Sequence, residues 1–486
     1  MRVSRHFRLN RDQESLDFLD VNVNRDLPVF VDPVAIRSLE TEWGQDCVHL
    51  LQDYFQEVLK AIRSADHDRA KGLLACLNER NEFHIGFSKH ESRGRALGKV
   101  SAEDIWKSLV RSKAAETALL EDLEDSVLFV DGIGPDKLSD AVCNIIRRPL
   151  IAYTQQACNY YGIKLEAEVN SGPLWDSKEK EWSSTLIRLP VTKAGPLILL
   201  PKIIVRAQQS YRFGQFYQHY LLPTLQQHHL SINSDLVRVL KSKKNKGGRR
   251  VYKKDLADRY GNDKLAAAKA TIEHPEALTK FRQDKRRDRS RPLDHSAFAE
   301  IENVPVPNFV KLVENVRALK PGKDQAQAYE DAIEKLLTAV LYPSLCSPIK
   351  QSPLHEGRKR IDITYVNAAK EGFFYWLAQK YPAPHIFVEC KNYGKEIGNP
   401  ELDQLTGRFS PSRGQVGLLV VRSIENRELL IKRCKDAATD QRGFVLVLED
   451  ADLLDFATKR NELLKGNGVS GFGDTGLYRQ FRNLVF

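Results

Sequence analysis

The sequence predicts an α/β protein in which a compact, alternating C-terminal domain follows a larger mixed α/β N-terminal region. Three observations carry this expectation. From about residue 320 the apolar residues switch repeatedly between helical and strand spacing. Before residue 230, short runs of branched apolar residues accompany one long amphipathic pattern. Between them lies a zone dominated by Lys and Arg. The expected division is 1–230, a mixed α/β domain of unknown role (sensing, regulation or assembly); 231–319, a basic helical connector or subdomain; 320–464, the C-terminal domain; and 465–486, a tail.

In the first region, VFVDPVAI (29–36) and SVLFVDGIG (126–134) read as short strands ending in turns. Asp46 to Ile62 places Val48, Leu51, Tyr54, Phe55, Val58, Leu59 and Ile62 at helical spacing. A longer helix is expected from Leu138 to Tyr161, beginning near Ser139 or Asp140. GPLILLPKIIVRA (195–207) reads as a buried strand pair broken at Pro201.

In the middle, KSKKNKGGRRVYKKD (241–255) holds eight basic residues and one acid, and KFRQDKRRDRSR (280–291) holds seven and two. Such runs are either solvated faces or a strip that contacts nucleic acid. Lys243, Lys244, Arg249, Arg250, Arg286 and Arg287 are the candidate phosphate contacts.

From 320 the expected order is a helix near 324–341, a strand near 359–366, helical residues at 368–380 and a strand at 385–392. Next come a helix N-capped by Asn399 with Pro400 as its first residue and running to Phe409, a strand at 415–422, a helix at 424–438, a strand at 443–450 and a helix at 451–464. A strand near 345–355 is poorly marked because prolines interrupt it.

Composition narrows the class. Apolar residues make up 42% and charged residues 28%, the balance of a folded chain. No stretch of 18 apolar residues and no apolar h-region behind the basic start are present, so a cytoplasmic protein without a membrane span is expected. The seven cysteines form no C-x-x-C pair, against a zinc ribbon. GRALGKV (94–100) lacks the spacing and the Ser or Thr of a phosphate loop, and His84 and His90 share no helix face. DGIGPDKLSD (131–140) lacks calcium-loop spacing. The net charge of +10 suits a polyanionic partner.

The chemistry concentrates in HIFVECKNY (385–393). Strand alternation puts Phe387, Glu389 and Lys391 on one face. A carboxylate and an ammonium in an otherwise apolar strand need pairing or a metal, although an edge-strand salt bridge would also serve. In RKRIDITYV (358–366), Asp362 shares a face with Arg360 and Thr364. Asp362 and Glu389 together suit Mg²⁺, with the carbonyl oxygen of Cys390 available as a third ligand. On the helical wheel of 326–341, Ile333, Leu336, Leu337 and Val340 form the buried stripe. Glu330 falls at its margin, either facing a cleft or as an ordinary surface acid. Glu334 and Asp331 are expected further toward solvent.

The order Glu330, Asp362, Glu389-Cys390-Lys391 resembles the E…D…ExK pattern of the PD-(D/E)XK phosphodiesterase superfamily, which includes restriction endonucleases and Mrr-like nucleases. The match covers roughly 320–450. Ile361 stands where proline is common in that superfamily, and an extra helix with Phe373, Phe374, Tyr375 and Trp376 separates Asp362 from Glu389. The resemblance implies a restriction-endonuclease-like αβββαβ core and a metal-dependent DNA endonuclease. It implies Mg²⁺ or Mn²⁺ on Asp362, Glu389, the Cys390 carbonyl and Glu330, and Lys391 at the reacting phosphate. Gln404 stands where relatives carry a helix residue at the site, and Arg408 is expected to meet a phosphate or water. An architecture of this kind, Mrr-like or Shedu-like, implies a bacterial restriction or anti-phage effector, homo-oligomeric and open to a partner subunit. Rival readings are a repair or recombination nuclease and a nucleic-acid-binding scaffold with an inactive nuclease fold.

Overall fold

The computed structural model describes residues 1–486 except 79, 87–101, 113, 118, 167, 241–246, 288–290, 355–358, 394–396 and 467–475. The readings of GRALGKV, His90, Lys243 and Lys244 therefore lie outside the described residues.

Two hydrophobic cores organise the chain. The first gathers residues from Val3 to Phe298, together with Tyr342, Cys346 and Ala368. The second runs from Phe309 to Leu484. The stretch expected as a connector is helical but divided between them. Helices Lys253–Tyr260, Lys264–Glu273 and Glu276–Arg287 bury Leu256, Ala267 and Phe281 in the first core, whereas Phe309–Arg317 buries Val313 in the second.

The first core is mostly helical, and its strands are two or three residues long. The long helix spans Glu42–Arg63, with the Thr41 hydroxyl accepting the Gly44 N–H at 3.0 Å and the predicted stripe turned inward. Four expectations are corrected. VFVDPVAI keeps only Phe30–Val31 as strand, and Pro33–Arg37 is a helix whose cap, Asp32, accepts the Val34 N–H. The helix expected over 138–161 is two, Pro135–Ile145 and Arg147–Tyr161. Pro149 is tolerated in the first turn of the second helix but would collide with the carbonyl of Ile145 in a continuous one. SVLFVDGIG forms a helix at Ser126–Phe129, not a strand. The Asp125 carboxylate accepts the N–H groups of Glu121 and Asp122 at 2.9 and 3.0 Å, building a turn that starts it. Residues 197–206 are buried, yet 195–207 make no strand pair with one another. Val205–Arg206 pairs instead with Phe30–Val31.

The second core surrounds a five-stranded mixed sheet. Its elements are α1 (Ala326–Leu341), β1 (Leu345–Leu354), β2 (Lys359–Asn367), α2 (Gly372–Lys380), β3 (His385–Lys391), α3 (Asn399–Thr406), β4 (Val416–Val421), α4 (Arg427–Thr439), β5 (Phe444–Glu449), α5 (Asp450–Leu464) and α6 (Gly476–Val485). Strand order is β1-β2-β3-β4-β5, antiparallel across the first two pairings and parallel across the last two. Antiparallel β1 and β2 are consecutive in the chain, whereas β4 and β5, which pair in parallel, are each reached through a helix. β4, VGLLVV, is buried throughout, as a central strand covered on both faces must be. Helix α3 begins at Asn399, and its N-cap is Gly398, whose N–H donates to Glu401 at 3.0 Å. The expected tail carries α6, which buries Leu477, Phe481 and Leu484 in the core.

Candidate active site

The ladder between β2 and β3 runs from Val366–His385 to Ile363–Val388. One further step would set Asp362 opposite Glu389, and opposed residues in an antiparallel pair project to the same face. Here a side chain replaces the backbone partner. The Asp362 carboxylate accepts the Cys390 N–H at 2.8 Å. The strands thus part where the two acids meet.

Glu389 is 1% exposed. Its Oε1 accepts from Lys391 Nζ at 2.8 Å, and its Oε2 accepts from the Arg408 guanidinium. Lys391 Nζ also donates to Gln404 Oε1 at 3.0 Å. Local packing places these groups. Leu402 and Leu405 anchor α3 in the core, and Phe409 stacks on Phe387 at 5.8 Å. Gly443 makes room for that stack, because a Cβ there would overlap the Phe409 ring. With Phe409 held, Arg408 turns in under Glu389. Arg408 is 6% exposed, which corrects the expectation that it faces DNA or water.

From α1, Glu330 is buried and takes the Gln351 amide on both carboxylate oxygens, at 3.1 and 3.0 Å. The register that pairs Lys350 with Ile363 and Ser352 with Ile361 places Gln351 opposite Asp362. Gln351 holds a left-handed backbone, φ +50°, which is uncommon outside glycine. Sequence reasoning missed it, since its role follows from a strand that prolines obscure. It also missed Asn392, whose side-chain amide donates to the carbonyls of Lys320 and Gly322 at 3.1 and 2.9 Å and ties the end of β3 to the entrance of α1. The expectation for Glu334 is corrected too. It is fully buried and paired with Arg11.

The carboxylates act on one another. Burial, then the Glu389 charge, pushes Asp362 up to about 7, against the opposing Cys390 N–H. Burial chiefly raises Glu330, with Gln351 opposing and Glu389 adding to the rise. The Cys390 thiol is pushed well up by burial and then by Asp362, Glu330 and Glu389.

The structure therefore brings together Glu330, Asp362, Glu389, Cys390, Lys391, Gln404 and Arg408. The remaining candidates lie outside this cluster. Arg249 and Arg250 are exposed on a strand paired with Arg238–Val239, and Arg238 and Arg250 lie over the Tyr252 ring at 5.4 and 5.1 Å. Arg286 and Arg287 are exposed at the end of Glu276–Arg287. Not all of that run is a free strip. Arg282 is buried against Asp125 at 2.7 Å, and Lys285 donates to Gln215 at 3.0 Å.

Among the described residues, no group of three or more His, Cys, Asp or Glu side chains forms a metal set by itself. The donors at the parted strands nevertheless suit a hard cation. They are carboxylates, two of them raised by burial and by neighbouring acids, and Asp362 Oδ1 has no hydrogen-bond partner among the described residues. Each carboxylate oxygen of Glu389 has two lone pairs, so its bonds to Lys391 and Arg408 leave acceptor capacity.

Comparison with known proteins adds a boundary. Neither curated proteins nor solved structures give a match to this chain. Residues 8–212 match a family described as a domain of unknown function (DUF8370), a segment that lies within the first core and ends before the candidate site.

Proposed function

We propose that this chain is a metal-dependent phosphodiesterase that cuts DNA at the parted ends of β2 and β3. The observation that carries the reading is the meeting of Asp362 with buried Glu389, beside Lys391, where the ladder opens. Asp362, Glu389 and the Cys390 carbonyl would hold Mg²⁺ or Mn²⁺, with Glu330 close by. A bound cation of this kind lowers the pKa of its water and neutralises charge on a phosphate. The chain's own groups do the rest. Glu389 and Gln404 aim the Lys391 ammonium, which stabilises charge developing on the scissile phosphate. Arg408 balances the Glu389 charge from the protein side. Gln351 fixes the rotamer of Glu330.

Exposed Arg249, Arg250, Arg286 and Arg287 and the net charge of +10 support DNA as the substrate, through contacts with its backbone. A nuclease joined to a large N-terminal region fits an effector of restriction or anti-phage defence, and this part of the proposal rests on architecture alone. The double ion pairing of Glu389 favours a second reading, a nucleic-acid-binding scaffold with an inert site. Incubating purified protein with supercoiled plasmid, with Mg²⁺ or Mn²⁺ and with chelator, separates the two. The nuclease reading expects nicking or linearisation that chelator stops. Binding without cleavage under every metal condition would establish the scaffold.

A further inference from the structure

Two buried tethers leave the N-terminal region and end on the elements that carry the candidate site. The first is Arg11. Its guanidinium grips both carboxylate oxygens of Glu334, one of them at 3.1 Å, and lies over the Tyr161 ring at 5.1 Å. Neither partner sees much solvent, with side chains 8% and 0% exposed. Glu334 stands one helical turn after Glu330 on α1. It also accepts the Thr338 hydroxyl at 3.0 Å, and Thr338 meets the Tyr365 hydroxyl at 2.9 Å. Tyr365 is on β2, three residues from Asp362, and its hydroxyl donates to the Glu334 carbonyl at 3.2 Å. One guanidinium thus grips the glutamate around which α1 is hydrogen-bonded to β2.

The second tether is Asp17. Its carboxylate accepts the Ser347 N–H at 2.7 Å and the Tyr153 hydroxyl at 2.9 Å. Ser347 sits in the irregular stretch of β1 between Cys346 and Ile349, with φ +50°. That irregularity sets the face on which the rest of β1 lies, since one residue of slip would reverse every side chain beyond it. Four residues on is Gln351, the partner of Glu330. Lys202 lies over the Tyr342 ring at 4.1 Å and seals the same joint.

We infer that Arg11 and Asp17 are positioning residues for the cutting site, so that the N-terminal region completes the geometry of Glu330, Gln351 and Asp362. This rests on the reading of those residues as the site. The region matched to DUF8370 contains both tethers. It acts through the joint without touching substrate.

The full-length chain tests this with the paired variant Arg11→Met/Glu334→Gln, which removes both charges and so leaves neither buried alone. Asp17→Asn serves as a separate variant. Four quantities are read: the melting temperature, binding of a labelled DNA duplex in chelator, single-turnover cleavage of that duplex in Mg²⁺, and hydrogen exchange over 326–354 and 359–367. Positioning predicts a folded protein with duplex affinity unchanged, cleavage reduced roughly 10²-fold, and faster exchange in β1 and β2. Arg11→Lys, which keeps the charge and loses the fork, should fall between the two. A folded variant with wild-type cleavage and wild-type exchange overturns the inference. If wild-type protein cuts nothing, the nuclease reading fails by itself, and exchange alone decides the tether: unchanged protection of β1 and β2 overturns it.

Discussion

Two buried glutamates, each gripped by an arginine, mark two regions of this molecule with different work to do. At the joint between the cores, Glu334 meets Arg11, Lys350 at 3.7 Å and the Thr338 hydroxyl. These partners are cations and a donor that answer its charge, although Asp17 of the same joint is raised by burial and in part by Glu334. At the parted strands, Glu389 also has Arg408 and a lysine, yet Asp362 and Glu330 crowd the same place. Burial and an arginine partner therefore do not distinguish a site from a joint. Like charges alone do not either, since buried Glu124 is raised to about 7 by burial and by Asp122 and Asp125 in the first core. At the parted strands the gathered acids stand beside Lys391 where the ladder ends, and that combination marks the candidate site.

Substitutions should separate the regions. The largest effect is expected at Lys391. Lys391→Ala should lower single-turnover cleavage by about 10²–10³-fold, the scale of removing one preorganised electrostatic interaction, while leaving the melting temperature close to wild type. An unchanged rate would place the chemistry elsewhere. At the joint the order reverses. Glu334→Ala strands the Arg11 guanidinium and should cost about 3–5 kcal/mol of stability, read by urea denaturation. A loss below about 1 kcal/mol, the scale of an exposed pair, would mean the joint opens to water.

The joint should also respond to acid. His295, on the helix His295–Glu302, has its Nε2 2.8 Å from the Ala339 carbonyl of α1 and packs on Tyr342. Burial first, then Lys202, lowers it to about 3. The unfolded chain then binds a proton that the folded chain refuses between about 6.5 and 3. Its contribution is complete above that window and is lost as pH falls through it. His295→Gln should flatten the decline of the urea midpoint between pH 7.5 and 5. Parallel profiles for the two proteins would contradict this. The smallest effect is expected on the outer surface. Arg249→Ala/Arg250→Ala should weaken duplex binding at every sequence and reduce the salt slope by about one for each phosphate no longer neutralised, with cleavage of bound DNA unaltered.

The two regions also differ in how much the sequence reveals. Around the second core, strands of six to ten residues are long enough for their spacing to speak, and β3 declares Glu389 and Lys391 on one face without further help. Asp362 follows from the neighbouring strand. Gln351 does not, because Pro348 and Pro353 blur β1 and its register depends on an irregular stretch. Arg408 misleads because its direction is set by Phe409 packing at Gly443, far along the chain. Glu334 misleads because a helical wheel knows one core, and α1 lies between two. Around the first core, strands of two or three residues leave almost no periodicity to read. There SVLFVDGIG has the residues of a strand, but the Asp125 turn and its buried pair with Arg282 make it a helix.

The most direct test of the central claim measures Mn²⁺ binding by calorimetry and plasmid cleavage on the same preparations of wild type and Asp362→Ala. Wild type is expected to bind Mn²⁺ and cut, whereas Asp362→Ala should stay folded, lose most of the Mn²⁺ heat and leave the plasmid intact. Wild-type cleavage by Asp362→Ala, or Mn²⁺ binding undiminished by the substitution, would contradict a metal-dependent site at the parted strands.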